Sequence, residues 1–233
     1  MYIVYILHDA VQLCKFNQDA YALHSLDVAA ALYIGHDQDI GAGSDEPHSL
    51  YALAESMGSV FAQHGDNGES RVNTKIIGLM NKAKLMFEQE QCSASNPHGS
   101  FNAYTKLRIM VDDIVAQMTV PLLQKLLVEM RGNTDKFTLD LYAMSVVPQL
   151  VGCNNQTFYY MMNELVTNSF QERNFEIMWS IIQRSLSCLG LSCQDIGVYQ
   201  GQARITACTN NPKMETLSGY APTTENSTEV SFI

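Results

Sequence analysis

Basic residues are scarce in this chain: 14 lysines and arginines stand against 24 aspartates and glutamates in 233 residues, a formal charge of −10 with a pI near 4.9. Binding to a phosphate backbone rests on clustered Lys and Arg, so nucleic acid is excluded as an expected partner. No run approaches the roughly 18–20 apolar residues of a membrane span, so no span is expected. No two cysteines stand at C-x-x-C spacing, which argues against a zinc ribbon or a thioredoxin-like centre. A G-x-S-x-G elbow, a phosphate loop, an H-E-x-x-H pair and a dinucleotide fingerprint are all missing, so the expectation is that the protein is not an enzyme. The β-branched alternation that marks strands is missing too.

What is present is helical spacing of apolar residues, almost throughout. It predicts an all-α, bundle-like domain of about eight helices over residues 1–209, followed by a polar, disordered tail over 210–233. The expected helices cover about 2–15, 18–34, Pro47 to Gly65, Ser70 to Cys92, 101–130, Thr134 to about 148–152, 157–170 and 175–189. Gly35 supplies a left-handed stop and His36 to Glu46 a surface loop. Ser70 and Thr134 are read as N-caps, and Pro121 as a kink or short break in the fifth helix. Ser93 to Gly99 is the one inner seam. The twelve methionines lie along the apolar stripes and read as core filler.

Six cysteines, Cys14, Cys92, Cys153, Cys188, Cys193 and Cys208, fall at expected helix ends and connections. Disulfides are the first reading, with fifteen pairings open. Asn155-Gln156-Thr157 and Asn226-Ser227-Thr228 fit the glycosylation acceptor pattern. Together these point to the secretory pathway: secreted, periplasmic or cell-surface. Met1 to Leu7 is too short for a signal peptide and lacks its basic flank. It reads as the first helix, so either the signal lies upstream of a truncated chain or the sequons are accidental.

His24 and Asp27 are three apart on the second helix, which also carries Tyr33. Tyr51 and Glu55 stand at i, i+4 on the third. Carboxylate, phenolate and imidazole are ligands a hard ferric ion accepts, and facing helices are where bundles assemble such sites. Against this, Tyr and His on a half-apolar face are commonly core residues with a satisfied polar tip. Other pairings, His8 with Asp9, His36 with Asp37 and Asp39, His64 with Asp66, and Asp112-Asp113, read as solvated surface.

Leu26-Asp-Val-Ala-Ala-Ala-Leu-Tyr-Ile-Gly35, Ser49-Leu-Tyr-Ala-Leu-Ala-Glu55 and Val72-Asn-Thr-Lys-Ile76 resemble the helical repeat unit of the algal and diatom iron-assimilation proteins, the phytotransferrin-like family. Gln117-Met-Thr-Val-Pro-Leu-Leu-Gln124, Ser145-Val-Val-Pro-Gln149 and Cys188 to Gly197 are similar to later parts of the same unit. The resemblance implies an extracytoplasmic or cell-surface protein that binds ferric iron with carbonate or assists its uptake, with other cell-surface proteins as partners. Asp27, Tyr33, Tyr51 and Glu55 lie within the matching segments, and His24 stands beside them. Family members often carry a basic pair where this chain has Ser56-Met57, so the unit is also compatible with a copy that kept the fold and lost the metal, serving as a structural or interaction module of the cell envelope.

Overall fold

Apolar stripes set the helices, and capping side chains set where they begin. The computed structural model describes residues 2–35, 49–89, 92, 103–132, 135–168, 174–201 and 205–209. Its helices are α1 (Tyr2–Lys15), α2 (Asp19–Ile34), α3 (Leu50–Val60), α4 (Arg71–Gln89), α5 (Ala103–Arg131), α6 (Lys136–Val146), α7 (Asn155–Met162), α8 (Phe175–Ser185) and α9 (Cys193–Ile196). A 3₁₀ segment, Val147–Gly152, follows α6, and a π turn, Asn163–Thr167, extends α7. Among the described residues there is no strand, only an isolated bridge between His64 and Ser70. The chain is all-α, as its periodicity predicts.

Helix starts differ from the expected ones where a nearby side chain caps better. Ser49 opens α3, its Oγ accepting the Ala52 N–H at 3.2 Å. Asp135 opens α6 by accepting the Thr138 N–H, so the cap is one residue past the expected Thr134, which lies outside the described residues. Asn154 starts α7 two residues early, since its Oδ1 takes the N–H groups of both Gln156 and Thr157. Asn17 adopts a left-handed φ of 59° between α1 and α2, a conformation Asn tolerates better than most residues. The expected loop 36–46, Pro47, the 93–99 seam and the 210–233 tail all lie outside the described residues.

The 29-residue α5 is the axis of the structure and packs against α1, α3, α4, α6, α8 and α9. It runs through Pro121 without a break. Proline there costs roughly 3 kcal/mol, but Val120, Leu123, Leu126 and Leu127 around it are wholly buried, and each buried side chain of this kind returns roughly 1.5–3 kcal/mol. Packing therefore holds the helix together across the missing hydrogen bond.

The fifteen possible pairings reduce to three disulfides: Cys14–Cys92, Cys153–Cys188 and Cys193–Cys208, closing loops of 78, 35 and 15 residues. The first ties the end of α1 to the far side of α4. The second joins the 3₁₀ segment to the turn after α8, and the third ties α9 to the last described residues. No described cysteine is free.

The short helix α9 goes beyond the eight expected. Ser192 and Asp195 define it, with Asp195 Oδ2 accepting from both the backbone N–H and the hydroxyl of Ser192 at 2.9 and 2.7 Å. It docks by polar ties: Gln63 Nε2 to the Gln194 carbonyl at 2.8 Å, Gln124 Nε2 to the Ile196 carbonyl at 2.7 Å, and Gln117 Nε2 and Lys75 Nζ to Asp195. Beyond it, the N–H groups of Val198 and Gln200 bond to the carbonyls of Phe61 and Val60. Trp179, buried in the core, donates its indole N–H to the Thr206 carbonyl at 2.8 Å.

Candidate functional site: a polar cluster between α2, α3 and α4

Helical geometry sorts the residues proposed from sequence into two groups. On α2, Ala22, Leu26, Ala29 and Tyr33 recur at the spacing of one face and all four are buried. Asp27 is six residues from Tyr33 and His24 nine, neither a whole number of turns, and both are exposed. Asp27 instead faces Lys84 on α4, 3.5 Å away across a half-exposed surface. Asp27 and His24 therefore stand apart from the other three.

Tyr33, Tyr51 and Glu55 do come together. The rings of Tyr33 and Tyr51 meet edge to face with centroids 6.2 Å apart. Both are buried. Asn73, on the buried stripe of α4, links them: the Tyr33 hydroxyl donates to Asn73 Oδ1. The Asn73 amide in turn donates to the Tyr51 carbonyl at 3.0 Å and to Glu55 Oε1 at 2.6 Å. The Glu55 carboxylate also accepts the Ser70 N–H, at 3.0 and 3.1 Å to its two oxygens.

Ser70 thus occupies the N-cap position of α4, but its hydroxyl does not cap the helix. Its Oγ is buried and has no hydrogen-bond partner. Glu55, reaching over from α3, supplies the negative charge that a helix N-terminus favours and accepts the N–H of the N-cap residue, the bond that the third helical residue makes in a capping box. The loop from Phe61 to Ser70 makes this possible by folding back on itself, with Gly65 N–H bonded to the Glu69 carbonyl and Arg71 N–H to the Gln63 carbonyl. Gly58 lets α3 approach that loop, since a Cβ there would sit 3.0 Å from His64 Cδ2 and 3.1 Å from the Ser70 side chain.

His64 forms the rim. Its Nε2 is 3.2 Å from the Glu55 carbonyl oxygen and 3.6 Å from Glu55 Oε2. It therefore faces Glu55 rather than the expected Asp66, which is exposed. Although His64, Glu55 and Ser70 are neighbours, Ser70 Oγ has no hydrogen bond to the imidazole, so they do not form a nucleophile relay. Burial first, then the charges around it at Tyr51 and Glu55, raises the pKa of Tyr33 far above the usual phenol range. Tyr51 is raised as well, by burial and then by Glu55 and Glu69. Both phenols are held neutral in a pocket of negative potential.

Among the described residues no group of three or more His, Cys, Asp and Glu side chains is placed to hold a metal ion. A cation here would need the phenol oxygens as well as Glu55 and His64. Asn73 is the member that site selection from sequence passed over, although the segment Val72–Ile76 contains it. The signal was available: Asn73, Ile76, Met80 and Ala83 share the buried stripe of α4, and a polar residue in an apolar stripe calls for a buried partner.

Of the remaining proposed residues, Asn155 is exposed at the first position of α7, and Asn226 and His36 to Asp39 lie outside the described residues. Asp9 accepts a hydrogen bond from Ser25 at 3.2 Å, and Asp112 pairs with Arg108 on the surface of α5. Compared with protein-family models, curated proteins and solved structures, the chain has no match in any of the three.

Proposed function

We propose that this protein is an extracytoplasmic, disulfide-stapled binding module of the iron-assimilation type, in which Tyr33, Tyr51 and Glu55 are offered to ferric iron, with His64 at the rim. One observation carries the reading. Three segments that resemble the iron-assimilation unit, residues 26–35, 49–55 and 72–76, are far apart in sequence, yet their polar side chains meet in one hydrogen-bonded cluster. Phenol, carboxylate and imidazole are the donors a hard trivalent cation selects; burial is the first cause of the raised phenol pKa values, and the neighbouring negative charge that adds to it is what a cation would relieve. The three disulfides and the exposed Asn155 acceptor support an oxidising compartment with access to glycosylation.

A second reading, a structural or interaction module of the cell envelope, is favoured by the state of Glu55. Its oxygens are already engaged by Ser70 and Asn73, so the cluster is complete as a tie between three helices. Titration of disulfide-intact protein with ferric citrate, with and without bicarbonate, separates the two. Iron binding requires saturable heat and a visible phenolate-to-iron absorption band that Tyr33→Phe and Tyr51→Phe each diminish. Without band or heat, the scaffold reading stands.

A further inference from the structure

A cavity of about 650 Å³ opens between the first turns of α7 and the C-terminal half of α8, well apart in sequence from the tyrosine cluster. That volume lies within the roughly 300–1,000 Å³ of small-molecule sites. Ile181, Arg184 and Ser185 share one face of α8 and, with Cys188 in the turn after it, form one wall. The Cys153–Cys188 disulfide is part of the lining and ties the end of the 3₁₀ segment to the turn after α8, and Tyr159 contributes an exposed aromatic face. Apolar surface is the larger part of the lining, and Asn154, Gln156, Thr157, Arg184 and Ser185 bring polar groups to it.

Among the described residues, Arg184 is the one charged group in the lining. Its Nε and one Nη bond to the carbonyl and hydroxyl of Ser180, one turn back on its own helix, at 3.2 and 3.3 Å. Among the described residues it pairs with no carboxylate, in a chain whose net charge is −10. A guanidinium carries five donors in a planar fork, so among the described residues most of its capacity has no acceptor. The last turn of α8 is a favourable place for a cation on dipole grounds, which accounts for a basic residue there but not for its place in a cavity wall. The N-terminal end of α7 borders the same space and adds positive potential.

We propose that this cavity is a binding site for a small amphipathic carboxylate, with Arg184 gripping the carboxylate through its fork and Ile181, Tyr159 and the disulfide enclosing an apolar body. Charge complementarity selects the head group, because a guanidinium matches a carboxylate bidentately. The lining selects the tail, because Ile181, the Tyr159 ring and the disulfide give an apolar body the larger part of its contact surface.

The test uses the intact, oxidised chain and the fluorescent aromatic sulfonate 8-anilino-1-naphthalenesulfonate as reporter, with decanoate and decanol as competitors. Emission should saturate at one site per chain, and decanoate should displace the reporter while decanol at equal concentration does not. Arg184→Gln should weaken reporter and decanoate binding by about tenfold or more, the size expected for losing a charge-assisted contact. Arg184→Lys, which keeps the charge without the fork, should fall between, and Tyr159→Ala, a change at an exposed position, should weaken both with the helical circular dichroism intact. Absence of saturable emission, equal displacement by decanol, or Arg184→Gln and Arg184→Lys both matching the parent would each overturn the proposal.

Discussion

Glu55 caps a helix to which it does not belong: both its carboxylate oxygens accept the backbone N–H of Ser70, at 3.0 and 3.1 Å, fifteen residues along the chain. In the usual capping box the third helical residue reaches back to the N-cap. Here that third residue is Asn73, and its side chain is turned to Tyr33 and Glu55 instead. The capping acceptor is therefore drawn from α3, and the start of α4 is coupled to the packing of α2 and α3.

Asn73 is accordingly the residue whose change should be felt most. Asn73→Leu leaves the buried Tyr33 hydroxyl without its acceptor, a loss that costs roughly 1–3 kcal/mol, and leaves Glu55 Oε1 with the Ser70 N–H alone. Asn73→Asp sets a second carboxylate against Glu55 and should be the worse of the two at neutral pH. Its deficit should shrink in acid, as one of the pair takes up a proton. Urea unfolding at pH 7 and pH 5 distinguishes them, and an Asn73→Asp protein equally stable at both would contradict the arrangement.

Alkaline pH should unfold the protein through its tyrosines. Tyr33 and Tyr51 hold their protons more tightly when folded than when unfolded. The sign follows directly: their contribution is complete below the ordinary phenol pKa of about 10, and is lost as pH rises above it, because only the unfolded chain ionises readily. Ultraviolet titration of tyrosinate should show a late, cooperative step that coincides with loss of helical circular dichroism. In Tyr33→Phe the late step should be smaller.

Asp195 works in the opposite direction. Burial alone would raise its pKa, but hydrogen bonds from the Ser192 side chain and backbone and from Gln117, with the charge of Lys75, outweigh burial and bring it below the usual carboxylate value. A depressed pKa stabilises the fold above the unfolded value near 4 and is lost as pH falls through the folded one. Asp195→Asn should therefore be less stable than the parent at pH 7 and approach it below about pH 4. Denaturant midpoints measured across that range read the effect, and a constant gap between the two proteins would show that Asp195 is not its source.

Gly197 sits at φ 79° where α9 turns back, and a Cβ there would lie 2.4 Å from the Phe61 carbonyl oxygen and 2.5 Å from Gln63 Nε2. Left-handed backbone costs a non-glycine residue roughly 1–2 kcal/mol, and the overlap adds to it. Gly197→Ala should lower stability by about 2 kcal/mol or more and loosen the segment beyond α9. Gly78, with open space around its Cβ position, provides the contrast: Gly78→Ala, inside α4, should raise stability by about 0.5–1 kcal/mol.

The Cys14–Cys92 bridge closes the longest loop, 78 residues. On a chain-entropy account its removal should cost about 4.5 kcal/mol, against about 3 kcal/mol for the 15-residue Cys193–Cys208 loop. Paired serine replacements compared by thermal unfolding test the order. Peptide mapping without reduction tests the pairing itself.

The sequence by itself determined the helices, because a 3.6-residue apolar period is a local property: the buried stripe of α2 and its Tyr33 follow from spacing alone. Spacing also held the information that Asp27 and His24 lie off that stripe, although residue chemistry drew them into the candidate set. Three things were decided only in three dimensions. The disulfide pairing depends on which helix ends become neighbours, and the capping of α4 by Glu55 depends on α3 lying across its N-terminus. Asn73 at the centre of the cluster likewise needs partners from two other helices. Each is a contact between residues distant in the chain, and the burial that makes it strong exists only once the helices have packed.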